Sequence, residues 1–133
     1  MSEFNPPANR EPGSQIDAEK ARIERLLADI SAQIAFANYI VSQGHDKYFG
    51  GDNEGLVLRR AAQKAIEIVA EATKKLPESF KEQHTEVPWH EIICMRNRMT
   101  HAYDEIDDDL VWQVLISRLP ALARQLNLSS SQA

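Results

Sequence analysis

Between Asp17 and Ser42 the apolar residues Ile23, Leu26, Leu27, Ile30, Ile34, Ala37 and Val41 return at intervals of three and four, which sets them on one stripe of an α-helix. Asp17 is placed to cap that helix and Gly44 to stop it. The stretch GHDKYFGGDN reads as a turn-rich connection, with Asp52 or Asn53 heading the next element. From about Glu54 to Lys75 a second stripe follows, built from Leu58, Ala61, Ala62, Ala65, Ile66, Val69, Ala72 and Leu76. Its alanines allow a neighbouring helix to come close. Pro77 ends it, and Glu78 to His84 predict a short helical turn. A third helix is expected from near Pro88, a residue suited to a first turn because its missing N–H would have no partner there. Its predicted anchors are Trp89, Ile92, Ile93 and Met99. A last helix starts behind Asp107 or Asp108, whose carboxylates complement the positive end of the helix dipole. It carries Leu110, Val111, Val114, Leu115, Leu119, Leu122 and Leu126, and should kink at Pro120. No segment alternates as a strand does and no repeat is visible, so the pattern predicts an all-α fold, an antiparallel four-helix bundle with a short additional helix.

Composition narrows the class. At 133 residues one hydrophobic core is the expectation. MSEFNPPANREPG lacks the apolar stretch of a secretory signal, and its Pro, Asn and Gly disfavour regular structure. Residues 1–15 are therefore expected to be a disordered leader, 16–128 the helical domain and 129–133 a disordered tail. No apolar run approaches the roughly 20 residues that span a bilayer, so no membrane partner is expected. Cys94 is the only cysteine, which excludes an internal disulfide and a multi-cysteine zinc site and fits a cytoplasmic location. It reads as a small buried apolar residue. His45, His84 and His90 lack the paired spacing of metal ligands, and Asp107 to Asp109 read as a helix-start charge cluster, so neither a metal nor a cofactor is expected. The net charge of −5 argues against a protein that coats nucleic acid, since that affinity comes from cations neutralising phosphates. A local basic cleft remains open, with Arg59, Arg60, Lys64, Arg96 and Arg98 as its candidates.

The most informative segment is WHEIICMRNRMTHAY, Trp89 to Tyr103. Its Arg-x4-His-x-Tyr pattern, Arg96, His101 and Tyr103 with Asn97 beside the arginine, resembles the signature of the HepT-like ribonuclease toxin family in the HEPN superfamily. The resemblance extends to RIERLLADI, the KYF turn, LRRAAQKAIEIVAEA, the VPWHEI entry, MRNRMTHAYDEID and VWQVLISRLPALARQL. One departure stands out: the family pattern Gly-Glu-Ala in the second long helix reads Ala70-Glu71-Ala72 here. The resemblance implies a homodimer whose cleft cleaves RNA, tRNA or mRNA, leaving a 2′,3′-cyclic phosphate. It also implies a partner, an MntA-like minimal nucleotidyltransferase antitoxin of a type VII-like toxin–antitoxin system, which attaches AMP to Tyr103.

Helical geometry adds a constraint. At ~100° per residue, Arg96 and Tyr103 lie ~20° apart on a regular helix, whereas His101 lies ~140° from Arg96. Either the helix ends or distorts near His101, or two symmetry-related chains share the cleft. Asn97 and His101, four apart, share a face, so Asn97 is a supporting residue that orients the imidazole or contacts substrate. An unperturbed imidazole can give or take a proton near neutrality, which suits His101 to proton transfer, while the guanidinium of Arg96 stays protonated and suits phosphate charge; both are the expected catalytic residues. Tyr103 supports them through its hydroxyl. The plainer readings are that Arg96 and Arg98 pair with Asp104, Glu105 or Asp107 to Asp109, that Trp89 and Trp112 are core or dimer anchors, and that the chain is a non-catalytic substrate-binding or regulatory subunit of the nucleotidyltransferase.

Overall fold

A computed structural model describes residues 12–101 and 106–128, with side chains for 15–99 and 106–128. Seven α-helices follow one another among the described residues: α1 (Pro12–Ser42), α2 (His45–Tyr48), α3 (Asn53–Lys75), α4 (Glu78–Glu82), α5 (Trp89–His101), α6 (Asp108–Gln113) and α7 (Leu119–Gln125). A π-helical turn, Val114–Arg118, joins the last two into one continuous rod. No strand is present among the described residues, and the all-α bundle is as the periodicity predicts.

α1 and α3 form the most extensive helix pair, α5 packs on α3, and the rod of α6, π-turn and α7 packs on α1. Ile30, Ile34, Ala37 and Ile40 of α1 meet Ala62, Ile66, Val69 and Ala72 of α3 in a single core, closed by Val111, Val114, Leu115, Leu119 and Leu122 of the rod. The small side chains on α3 are what permit the close approach.

α1 begins at Pro12, five residues before the expected Asp17 cap. Proline's fixed φ and absent N–H suit a first turn, so the helix takes in positions 12–15, which composition had assigned to the leader. Residues 1–11 and 129–133 lie outside the described residues. α3 starts where predicted: Asp52 is its cap and accepts a hydrogen bond from the Gly55 N–H at 3.0 Å.

The connection between them is not merely turn. Gly44, at φ 100°, a value that L side chains avoid, turns the chain into α2, which carries Tyr48 into the core, wholly shielded from solvent. The Tyr48 ring lies 4.8 Å from Trp112 and 4.9 Å from Phe49, so the link plugs one end of the bundle. Trp112 is thus a core anchor.

On α5 the buried position is Met95, with Trp89, Ile92 and Met99 partly covered and Ile93 outside the core, unlike the predicted set. With Ile92, Met95 and Met99 facing inward, Cys94 is turned outward. It is exposed rather than buried, with Sγ 3.3 Å from His90 Nε2 one turn earlier. Asp107 caps α6 by accepting from the Leu110 N–H. The irregularity expected at Pro120 takes the form of the π-turn just before it, whose wider coil meets the missing N–H and the bulk of the ring.

Candidate functional site

Arg96 follows Met95 on α5 and lies at the seam with α3. Its Nη2 pairs with Oε2 of Glu71 on α3 at 2.5 Å, and its Nη1 donates to Oδ1 of Asn97 at 3.3 Å. Ala70, at the position where the resemblance implies glycine, is fully buried on α3, and the next residue is the one that reaches Arg96.

Beside this pair opens a cleft of about 210 Å³, lined by Arg60, Gln63, Lys64 and Glu67 of α3, Arg96 and Met99 of α5, and Ile106. The α3 residues recur at three- and four-residue spacing and form one stripe along that helix. Arg60, Lys64 and Arg96 against Glu67 leave the lining with an excess of two positive charges, in a chain whose net charge is −5. Such a local inversion of sign favours an anionic ligand.

Of the five cations expected in a basic cleft, the structure brings three together. Arg59 is turned away: its Nη1 donates to the carbonyls of Tyr48 and Gly50, both at 2.8 Å, and its Nε lies 3.9 Å from Asp108. It holds the α2 link to α3. Arg98 lines an adjoining groove that shares Met99 and Ile106 with the cleft and adds Asp107 and Leu110.

Asn97 is exposed beside Arg96, and His101 is the last residue of α5, with its side chain outside the described residues. Tyr103 also lies outside the described residues. In the sequence His101 stands two residues after Met99, a lining residue of the cleft. α5 includes both Arg96 and His101, so the two remain ~140° apart in projection.

Glu71 is the functional candidate that the sequence reading did not single out. Glu71 holds Arg96 across the helix seam, while Asp104 and Glu105, two of the carboxylates expected to pair with it, lie outside the described residues. A signal existed in the continuation of the Arg60, Lys64, Glu67 stripe by one further turn. Among the described residues no group of three or more His, Cys, Asp and Glu is placed to hold a metal ion. No helix among them is long and apolar enough to cross a membrane.

The profile of the family described as "Ribonuclease HepT-like" matches residues 21–128, from the third turn of α1 beyond the end of α7. The chain belongs to the HepT-like ribonuclease family. A candidate RNase of Caldanaerobacter subterraneus subsp. tengcongensis is 39% identical over 70 residues, 53% of this chain and 62% of that protein. A probable ribonuclease HepT of Thermococcus cleftensis is 39% identical over 62 residues, 47% of this chain and 56% of its own length. The chain therefore spans about three fifths of these two relatives. A candidate RNase of Methanocaldococcus jannaschii is similar over more of its length, 27% identical over 109 residues that make up 82% of this chain and 97% of that one. No solved structure matches the chain.

Proposed function

We propose that this HepT-like protein is an endoribonuclease that cleaves RNA without a metal, at a cleft shared by two copies of the chain. The observation that carries the reading is a partly buried arginine, Arg96, set in a cationic cleft on an otherwise acidic protein. Membership of a ribonuclease family supports the same reading.

In the proposed reaction the RNA 2′-oxygen forms a bond to the adjacent phosphorus as the bond from phosphorus to the 5′-oxygen breaks, leaving a 2′,3′-cyclic phosphate. His101 takes the 2′-hydroxyl proton, and a proton is returned to the departing 5′-oxygen. Arg96 meets the charge that gathers on the nonbridging oxygens. Because Arg96 and His101 diverge on one helix, a two-fold dimer supplies the pair most simply, one protomer's Arg96 meeting the partner's His101. Asn97 and Tyr103 support this set. The antitoxin role falls to an MntA-like nucleotidyltransferase that places AMP on Tyr103.

The acidic charge favours a second reading, a non-catalytic subunit that presents substrate or Tyr103 to that enzyme. One assay separates them. Purified protein in EDTA should cleave RNA, and His101→Ala should abolish cleavage while circular dichroism and sedimentation stay unchanged. Equal cleavage by the variant removes His101 from the mechanism, and no cleavage by the unaltered protein favours the second reading.

A further inference from the structure

We propose that the α3 wall of the cleft is a second phosphate site, which seats the nucleotide flanking the scissile bond. The inference rests on the ribonuclease reading and concerns residues to which that reading gives no role: Arg60, Gln63 and Lys64.

The cations of the cleft rise from backbone positions spread over three turns of α3. Arg96 is fixed at the level of Glu71. Along α3, at about 1.5 Å per residue, Lys64 stands about 10 Å and Arg60 about 16 Å from that level. All three nevertheless line one continuous cleft. A strand whose scissile phosphate lies at Arg96 therefore carries its neighbouring phosphate towards Lys64 and Arg60.

Both α3 cations are available to a ligand. Lys64 is held by Glu67 at 3.3 Å in an exposed pair one turn long, an interaction weak enough to yield to a phosphate. No carboxylate among the described residues pairs with Arg60. The adjacent Arg59 is committed to two backbone carbonyls, so the structural and the cleft-facing roles are divided between neighbouring arginines. The apolar part of the lining, Met99 and Ile106, suits the face of a base or sugar better than a solvated ion. Gln63 offers that base both a donor and an acceptor. The ligand chemistry is thus a nucleotide unit of an RNA strand.

The test uses the full chain carrying Arg60→Gln and Lys64→Gln together, assayed on RNA from a dinucleotide upwards across a range of salt. On long RNA, KM should rise about ten-fold, and the slope of log(kcat/KM) against log[salt] should lessen by about 1.4, the contribution of two single-strand phosphate contacts. The loss on the dinucleotide should be several-fold smaller. Binding of a 2′-deoxy oligonucleotide, which has no 2′-hydroxyl to attack with, reads the site independently of cleavage. The double variant should weaken it about ten-fold and Glu67→Gln should strengthen it. Equal losses on long and short RNA, or undiminished deoxyoligonucleotide binding by a variant with unchanged melting temperature, overturns the subsite. If the unaltered protein cuts RNA of no length yet binds the oligonucleotide through these cations, the ribonuclease reading fails and the subsite stands.

Discussion

Glu71 of α3 and Arg96 of α5 form an ion pair across the helix seam, with their side chains 35% and 27% exposed. The carboxylate fixes the guanidinium beside the cleft and also competes for it with any incoming phosphate. Two opposed consequences follow for Glu71→Gln. A less firmly held Arg96 should lower kcat by about ten-fold, against the roughly 10²- to 10³-fold expected for Arg96→Ala, the scale for removing one oxyanion-stabilising donor. With the competing charge removed, KM for RNA should fall as well. The fold should tolerate the change, since a partly exposed pair contributes about 1 kcal/mol or less. Steady-state kinetics decide the matter: an unchanged kcat with a raised KM means that Glu71 does not position Arg96.

That relationship marks the limit of what the sequence made legible. α3 was legible from both ends because a strong apolar period coincides with an Asp52 cap and a Pro77 stop. The α1 start was not, because Pro12 and Asp17 both suit a helix beginning and the residues between them are largely polar. α2 is too short to show a period, so the burial of Tyr48 could not be foreseen from spacing. On α5 the spacing of Ile92, Met95 and Met99 competes with Ile93, and only packing against α3 decides between them. The cleft divides in the same way. Arg96 follows from its motif, but its partner comes from a helix remote in sequence, and Arg59 and Arg60 can be told apart only once the α2 link is in place.

Tyr48 offers a test of the buried link. Its hydroxyl is buried without a hydrogen-bond partner among the described residues, and burial, reinforced by Asp108 and opposed by Arg59, pushes its ionisation well above the usual phenol range. The folded state therefore keeps the proton that the unfolded chain gives up near pH 10. The associated stability is intact below that pH and is lost above it, at about 1.4 kcal/mol per pH unit. Tyr48→Phe keeps the ring and removes the unpaired group, so it should raise stability by about 1 kcal/mol, or about 3–5 °C in Tm, and flatten the alkaline limb. Thermal melts from pH 7 to pH 11 check both. A lower Tm for the variant at neutral pH means that the hydroxyl is satisfied.

Gly55 sets how closely the α2 link can approach α3. A Cβ added there would overlap the Gly50 carbonyl oxygen, the same carbonyl that accepts from Arg59. Backbone must move to admit it, so Gly55→Ala should destabilise by about 1–3 kcal/mol, despite alanine's higher helix propensity. Urea denaturation measures the change. A stabilised Gly55→Ala protein would show that the link is free to shift.

Tyr103 carries the regulatory part of the proposal. In the sequence it stands three residues before Ile106, a lining residue of the cleft, and two after His101. Transfer of adenylate from ATP would join the phenolic oxygen to the α-phosphorus, release pyrophosphate and give the phenolic proton to solvent. On the proposed reading the new phosphodiester would oppose, with one negative charge, a lining whose excess is two positive charges. It also brings a base that needs the same apolar floor as the RNA. Modification should therefore abolish detectable cleavage by raising KM more than it lowers kcat, and the loss should ease as Glu67→Gln restores positive charge. Incubation with the nucleotidyltransferase and ATP, followed by peptide mass spectrometry, should place AMP on Tyr103. Tyr103→Phe should accept none and stay insensitive to the partner. Adenylate that persists on the Phe variant moves the acceptor elsewhere, and a modified protein with unaltered KM separates the modification from the cleft.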